Sequence, residues 1–135
     1  LAGHALAHTS PLQAARLSGA ADRLAICRSA ILQRDFAALA AVSELDSNLM
    51  HAIIMTQNPP LQYWQPATLA VMQEVTAWRK RGLAVFYTID AGPNVHVICQ
   101  AEESQQVQRL LKGIPGVQNV IKAGVGGSAC LLQER

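Results

Sequence analysis

The stretch Tyr87-Thr88-Ile89-Asp90-Ala91-Gly92-Pro93-Asn94 places a lone carboxylate where an apolar run breaks into turn residues. Glycine tolerates positive φ, proline fixes φ and lacks a donor, and asparagine can bond its own backbone, so Gly92-Pro93-Asn94 reads as a tight turn. Asp90 at its mouth is either a turn former or a catalytic group, and residue types alone leave both open. A second pair is Ser47 and His51, four residues apart in Asp46-Ser47-Asn48-Leu49-Met50-His51. In a helix that spacing sets a hydroxyl and an imidazole on one face. Asp46, Ser47 and Asn48 also compete for backbone groups, so the alternative is a fresh helix capped at Ser47 or Asn48, with His51 as a hydrogen-bonded structural residue. Neither the four histidines nor the three cysteines form a metal-ligand motif beyond a loose His4-x3-His8, so no metal is expected. Gly124-Val125-Gly126-Gly127-Ser128 resembles a phosphate loop only in its glycines, because no helix N-terminus follows to supply aligned amides. No cofactor is therefore expected to bind this chain alone.

The elements that must hold these groups follow from periodicity. Leu83–Ile89 is β-branched and aromatic and predicts a strand buried on both faces; Val95–Cys99 resumes strand character, making a hairpin with Asp90 at its mouth. Before it, Thr9-Ser10-Pro11 caps a helix that breaks near Gly19, apolar spacing resumes from Leu24 to Ile31, and Arg34-Asp35 forms a junction into another helix from Phe36. Pro66 opens a helix whose apolar positions Leu69, Val71, Met72, Val75 and Trp78 recur at three and four; Arg79-Lys80-Arg81 and Gly82 close it, the basic end complementing the helix dipole. After the hairpin, Glu102-Glu103 opens a helix to Lys112, and strands are predicted over 117–123 and 129–132. The expectation is an α+β fold of the ferredoxin-like kind, with an antiparallel sheet of about four strands and helices packed on one face.

With 135 residues, one domain with a real core is expected, and 50% apolar against 15% charged residues excludes a disordered chain. The net charge of +2 is spread without a basic run and aromatics are few, which argues against nucleic acid as a partner. No apolar run approaches the roughly 18 residues of a bilayer span and no leader pattern opens the chain, so neither membrane nor secretion is expected. Three cysteines without a pairing pattern read as reduced, buried thiols of a cytoplasmic protein. The start at Leu1 in mid-element suggests a fragment or a processed product.

Two long motifs in order carry a resemblance. Tyr87-Thr88-Ile89-Asp90-Ala91-Gly92-Pro93-Asn94 resembles the Tyr-Thr-x-Asp-Ala-Gly-Pro-Asn signature of diphosphomevalonate decarboxylases, and Asp46-Ser47-Asn48-Leu49-Met50-His51-Ala52 looks like their Asp-Ser-Asn-x-x-His-Ala helix, followed by Pro59-Pro60 and Tyr63. That family belongs to the superfamily of galactokinase, homoserine kinase, mevalonate kinase and phosphomevalonate kinase. The resemblance implies that residues 1–135 are the C-terminal domain of a two-domain enzyme whose N-terminal domain, absent here, carries the ATP phosphate loop. It implies ATP with Mg2+ as cofactors of the full-length enzyme, a phosphorylated mevalonate as substrate, and conversion of mevalonate diphosphate to isopentenyl diphosphate, phosphate and carbon dioxide. Asp90 matches the family's catalytic carboxylate; Ser47, His51 and Asn94 carry over as substrate-cleft candidates. A decarboxylase acting on the monophosphate, a kinase of the superfamily that stops after phosphoryl transfer, and a non-catalytic ligand-sensing or dimerisation module are the alternatives. A half-enzyme would expose apolar surface, so a homo-oligomer is expected.

Overall fold

The computed structural model describes residues 6–131. A 3-10 turn at Ala7–Thr9 leads to four helices: α1 Gln13–Ser18, α2 Ala20–Gln33, α3 Phe36–Thr56 and α4 Pro66–Lys80. Two strands follow, β1 Val85–Ile89 and β2 Val95–Cys99, then a 3-10 turn at Ala101–Glu103 and α5 Ser104–Lys112. The fold is α+β, with an antiparallel β1–β2 hairpin in the register Val85↔Cys99 to Ile89↔Val95.

Helix ends fall where local chemistry demands. Gly19 separates α1 from α2, the break its low helix propensity predicts. Arg34, in the left-handed region at φ 57°, ends α2; Asp35 then caps α3, its carboxylate accepting the Ala38 N–H at 2.9 Å. Pro66 lies in the first turn of α4, and Gly82 at φ 99° stops the chain just beyond its end.

The main core joins Val71, Val75 and Trp78 of α4 to Val85, Tyr87 and Ile89 of β1 and to Val107, Leu111 and Ile114 in and after α5. On the other face of β1, Phe86 meets Phe36 of α3 edge-on, ring centroids 5.3 Å apart. β1 is thus buried on both faces, as its composition predicts.

Four expectations are corrected. α3 runs without interruption to Thr56, so no helix begins at Ser47 or Asn48. Among the described residues the sheet has two strands, not four. Residues 117–123 form no strand; Val117 and Val120 only lean on the core, and 121–131 lie exposed without pairing. Residues 132–135 and 1–5, with His4, lie outside the described residues. Cysteines 27 and 99 are half-buried, but Cys130 is exposed rather than buried.

Candidate functional site

Antiparallel pairing turns alternate backbone groups of β1 away from β2, and the bond from Gln100 N–H to Ala84 O sets the phase. The outward groups belong to Val85, Tyr87 and Ile89. α3 covers this edge with a polar stripe spaced three and four apart. Glu44 accepts the Tyr87 N–H at 3.2 Å, and Ser47 Oγ accepts the Ile89 N–H at 2.9 Å while donating to Ile89 O at 3.1 Å. His51 Nε2 reaches the same carbonyl at 3.0 Å. Asn48 donates to the Tyr87 hydroxyl at 3.2 Å. Arg79 of α4 completes the edge, donating to Val85 O at 3.3 Å and gripping Glu44 with two bonds of 2.6 and 2.8 Å. Ser47 and Asn48, which would compete with helix backbone, are engaged by the strand and Asp46 by Arg16 and Arg23, which is why α3 continues through them.

The stripe explains residues that sequence reading passed over. Glu44 received no role there, although Glu44, Ser47, Asn48 and His51 at helical spacing on an apolar helix were the signal. Arg79, read only as part of a basic helix end complementing the dipole, turns inward; the bond to Glu44 raises the pKa of its guanidinium, with burial opposing.

His51 is 1% exposed. Its ring packs against Trp64, centroids 5.2 Å apart, and meets Tyr63 edge-on at 6.2 Å. A carbonyl only accepts, so Nε2 carries the proton. Burial pushes the imidazole below its ordinary pKa of 6.5, while the bond to Ile89 and the charge of Asp90 pull the other way.

Asp90 follows directly after the clamped Ile89. Its side chain is 85% exposed, and its carboxylate lies 3.3 Å from His96 Nε2. The turn is closed by backbone, Gly92 N–H to Asp90 O at 2.8 Å, and by Thr68 Oγ1 donating to Pro93 O at 2.8 Å. The carboxylate itself bonds to no backbone group of the turn among the described residues. Asp90 stands at the rim of a cleft of about 440 Å³ between α2, α3 and the end of β1. Arg23, Asp46, Ser47, Met50 and Thr88 also line it. Asp46 is held by Arg16 at 3.1 Å and Arg23 at 2.8 Å, so its charge is compensated within the wall.

The structure brings Asp90 and Ser47 to one cleft and sets His51 behind it, out of reach of a ligand. Asn94 is exposed and outside the cleft lining, and makes no side-chain hydrogen bond among the described residues. Nor do these residues fit a nucleotide. The Gly124–Ser128 stretch is exposed with no helix after it among them, and they hold no group of three or more carboxylate, imidazole or thiol ligands.

Over residues 4–130 the chain matches the family described as mevalonate 5-diphosphate decarboxylase C-terminal domain. It is 32% identical over 119 residues to the diphosphomevalonate decarboxylase of Ganoderma lucidum, covering 82% of this chain and 30% of that protein. It is 31% identical over 132 residues to the phosphomevalonate decarboxylase of Haloferax volcanii, covering 97% of this chain and 40% of that one. Among solved structures, the mevalonate diphosphate decarboxylase from Enterococcus faecalis, described for its mevalonate diphosphate mediated ATP binding, superposes with a TM-score of 0.79 at 28% identity. That match covers 86% of this chain and 37% of the other. The chain thus spans well under half the length of the relatives it matches. With nearly its whole length matched and the hairpin and α3 in place, the chain belongs to the mevalonate 5-diphosphate decarboxylase C-terminal domain family.

Proposed function

We propose that residues 1–135 are the C-terminal domain of a two-domain, ATP-dependent decarboxylase that converts mevalonate diphosphate to isopentenyl diphosphate, phosphate and carbon dioxide. The observation that carries this reading is the Asp90 carboxylate, exposed at the rim of the cleft and unused by the turn it stands in. An acceptor-only carboxylate there orients a tertiary hydroxyl and takes its proton as the oxygen attacks phosphorus; general-base help is worth roughly 10²–10⁴-fold. ATP, which with Mg2+ would be held by the other domain, would supply the phosphoryl group that turns the hydroxyl into a leaving group. As the C–O bond to phosphate breaks, positive charge grows on the tertiary carbon and the nearby Asp90 carboxylate stabilises it. The C–C bond to the substrate carboxylate then breaks, its electrons form the alkene, and carbon dioxide leaves. Arg16 and Arg23 beside Asp46 keep that wall from repelling an anionic substrate.

A second reading, decarboxylation of the monophosphate, is supported by the Haloferax volcanii relative matched across 97% of this chain. The finer ferredoxin-like form, with about four strands, is read as completed in the whole protein. Exposed Leu24, Ile31 and Leu32 on α2 support the expected homo-oligomer, which sedimentation at micromolar concentration tests. Free cysteines support a cytoplasmic setting.

The test is release of phosphate and carbon dioxide by the complete protein from the monophosphate and the diphosphate, with Asp90→Asn alongside. Turnover of the diphosphate is expected, with collapse in the variant. Release of neither product from either substrate rejects the reading.

A further inference from the structure

We infer that Ser47 and His51 are positioning residues, clamping the peptide groups of Ile89 so that the Asp90 carboxylate stands at a fixed place on the cleft rim. The inference rests on the reading of Asp90 as the reacting carboxylate and assigns to the α3 motif a task of its own.

Ile89 is the last buried residue of β1, and Asp90 and Ala91 after it are exposed. The backbone entering the turn is therefore held at Ile89 or not at all. Among the described residues neither outward group of Ile89 has a strand partner, since the sheet ends at β1. Ser47 takes the N–H, and Ser47 with His51 fills both lone pairs of the carbonyl, a saturated three-bond clamp. The rings of Trp64 and Tyr63 fix the imidazole in turn. At the other end of the loop Thr68 holds Pro93 O. Residues 90–92 are thus a short span between two anchors, and Asp90 is the residue next to the stronger one. His51 is 1% exposed and Ser47 donates and accepts within the clamp, so neither has a hydrogen to spare for a substrate. A displacement of about 1 Å at a reacting group costs on the order of 10²-fold in rate.

The experiment uses the complete protein and four variants: Ser47→Ala, His51→Leu, His51→Gln and Asp90→Asn, plus Ser47→Ala combined with Asp90→Asn. Rates are normalised to folded protein by circular dichroism. Ser47→Ala and His51→Leu should lower kcat about 10- to 100-fold with KM changed little. His51→Gln, whose amide N–H reaches as far as Nε2, should recover most of the loss. In the Asp90→Asn background Ser47→Ala should lower kcat no further, because its effect passes through the carboxylate. Wild-type kcat in folded Ser47→Ala and His51→Leu, with only a lowered Tm, would overturn the clamp; additive losses in the double variant would do so too. If His51→Leu fails to fold, the other variants decide. If Asp90→Asn itself keeps wild-type turnover, the reading of Asp90 fails, an outcome distinct from failure of the clamp.

Discussion

His96 Nε2 stands 3.3 Å from Asp90 Oδ2 across the mouth of the hairpin, and the two side chains are 59% and 85% exposed. Exposed pairs of this kind contribute little to stability. Asp90→Asn in the complete protein is therefore expected to leave Tm nearly unchanged while kcat falls by at least about 10²-fold. Thermal melts and steady-state kinetics on one preparation check this. Lost stability with retained turnover would make Asp90 a turn former after all.

Glu44 is expected to matter for folding rather than chemistry. Its side chain is 12% exposed and serves both Arg79 and the Tyr87 N–H. Glu44→Ala strands a half-buried guanidinium and an edge N–H, for a loss of roughly 2–3 kcal/mol, below that of a fully buried pair because Arg79 is 34% exposed. Glu44→Gln keeps an acceptor for Tyr87 and should lose less. Urea unfolding of this chain measures both; equal stability of Glu44→Ala and wild type would contradict the edge-capping role.

His51 should make stability depend on pH from one side. Its folded pKa lies below the ordinary 6.5, so below 6.5 the unfolded chain binds the proton first. Stability contributed by the neutral ring is then full above 6.5 and falls as pH drops toward the folded pKa. Subtracting the Tm–pH curve of His51→Gln from that of wild type isolates the effect. A flat difference between pH 7 and 5 would show that the ring is not held neutral.

The junction at Arg34 offers a stabilising change. A non-glycine residue at φ 57° pays for a left-handed backbone, so Arg34→Gly should raise stability by a few tenths of a kcal/mol to about 1 kcal/mol. Asp35→Ala, which removes the cap on Ala38, should lower it by about 1 kcal/mol. Opposite signs in paired melts are the expected result.

Local signals were legible where one residue type answers one backbone need. Gly19 broke the helix, Asp35 capped one, Gly82 stopped one, and the β-branched run of β1 was buried on both faces. The polar stripe of α3 was visible but misleading, because Asp46, Ser47 and Asn48 disfavour a helix only while their side chains lack other partners. The partners of Ser47 and Asn48 lie some 40 residues away on β1, and those of Asp46 are Arg16 and Arg23 on α1 and α2, pairings that periodicity does not encode. The β-propensity of 117–123 likewise misled: β2 leaves an edge open, but the segment does not pair with it, and Val117 and Val120 pack on the core instead. Asp90 was found by its place before the turn; its freedom from that turn emerged only from the hydrogen bonds.

Covering one edge of β1 gives the hairpin a direction of growth. A strand presents its unpaired amides and carbonyls as a template for any extended segment that passes, its own or another molecule's. On the β1 side Glu44, Ser47, His51 and Arg79 already occupy those groups. A foreign segment would have to displace a helix to dock there, whereas β2 has no second strand beside it among the described residues. Sheet extension, whether during completion of the native fold or in misassembly between chains, is thereby steered to the side away from Asp90.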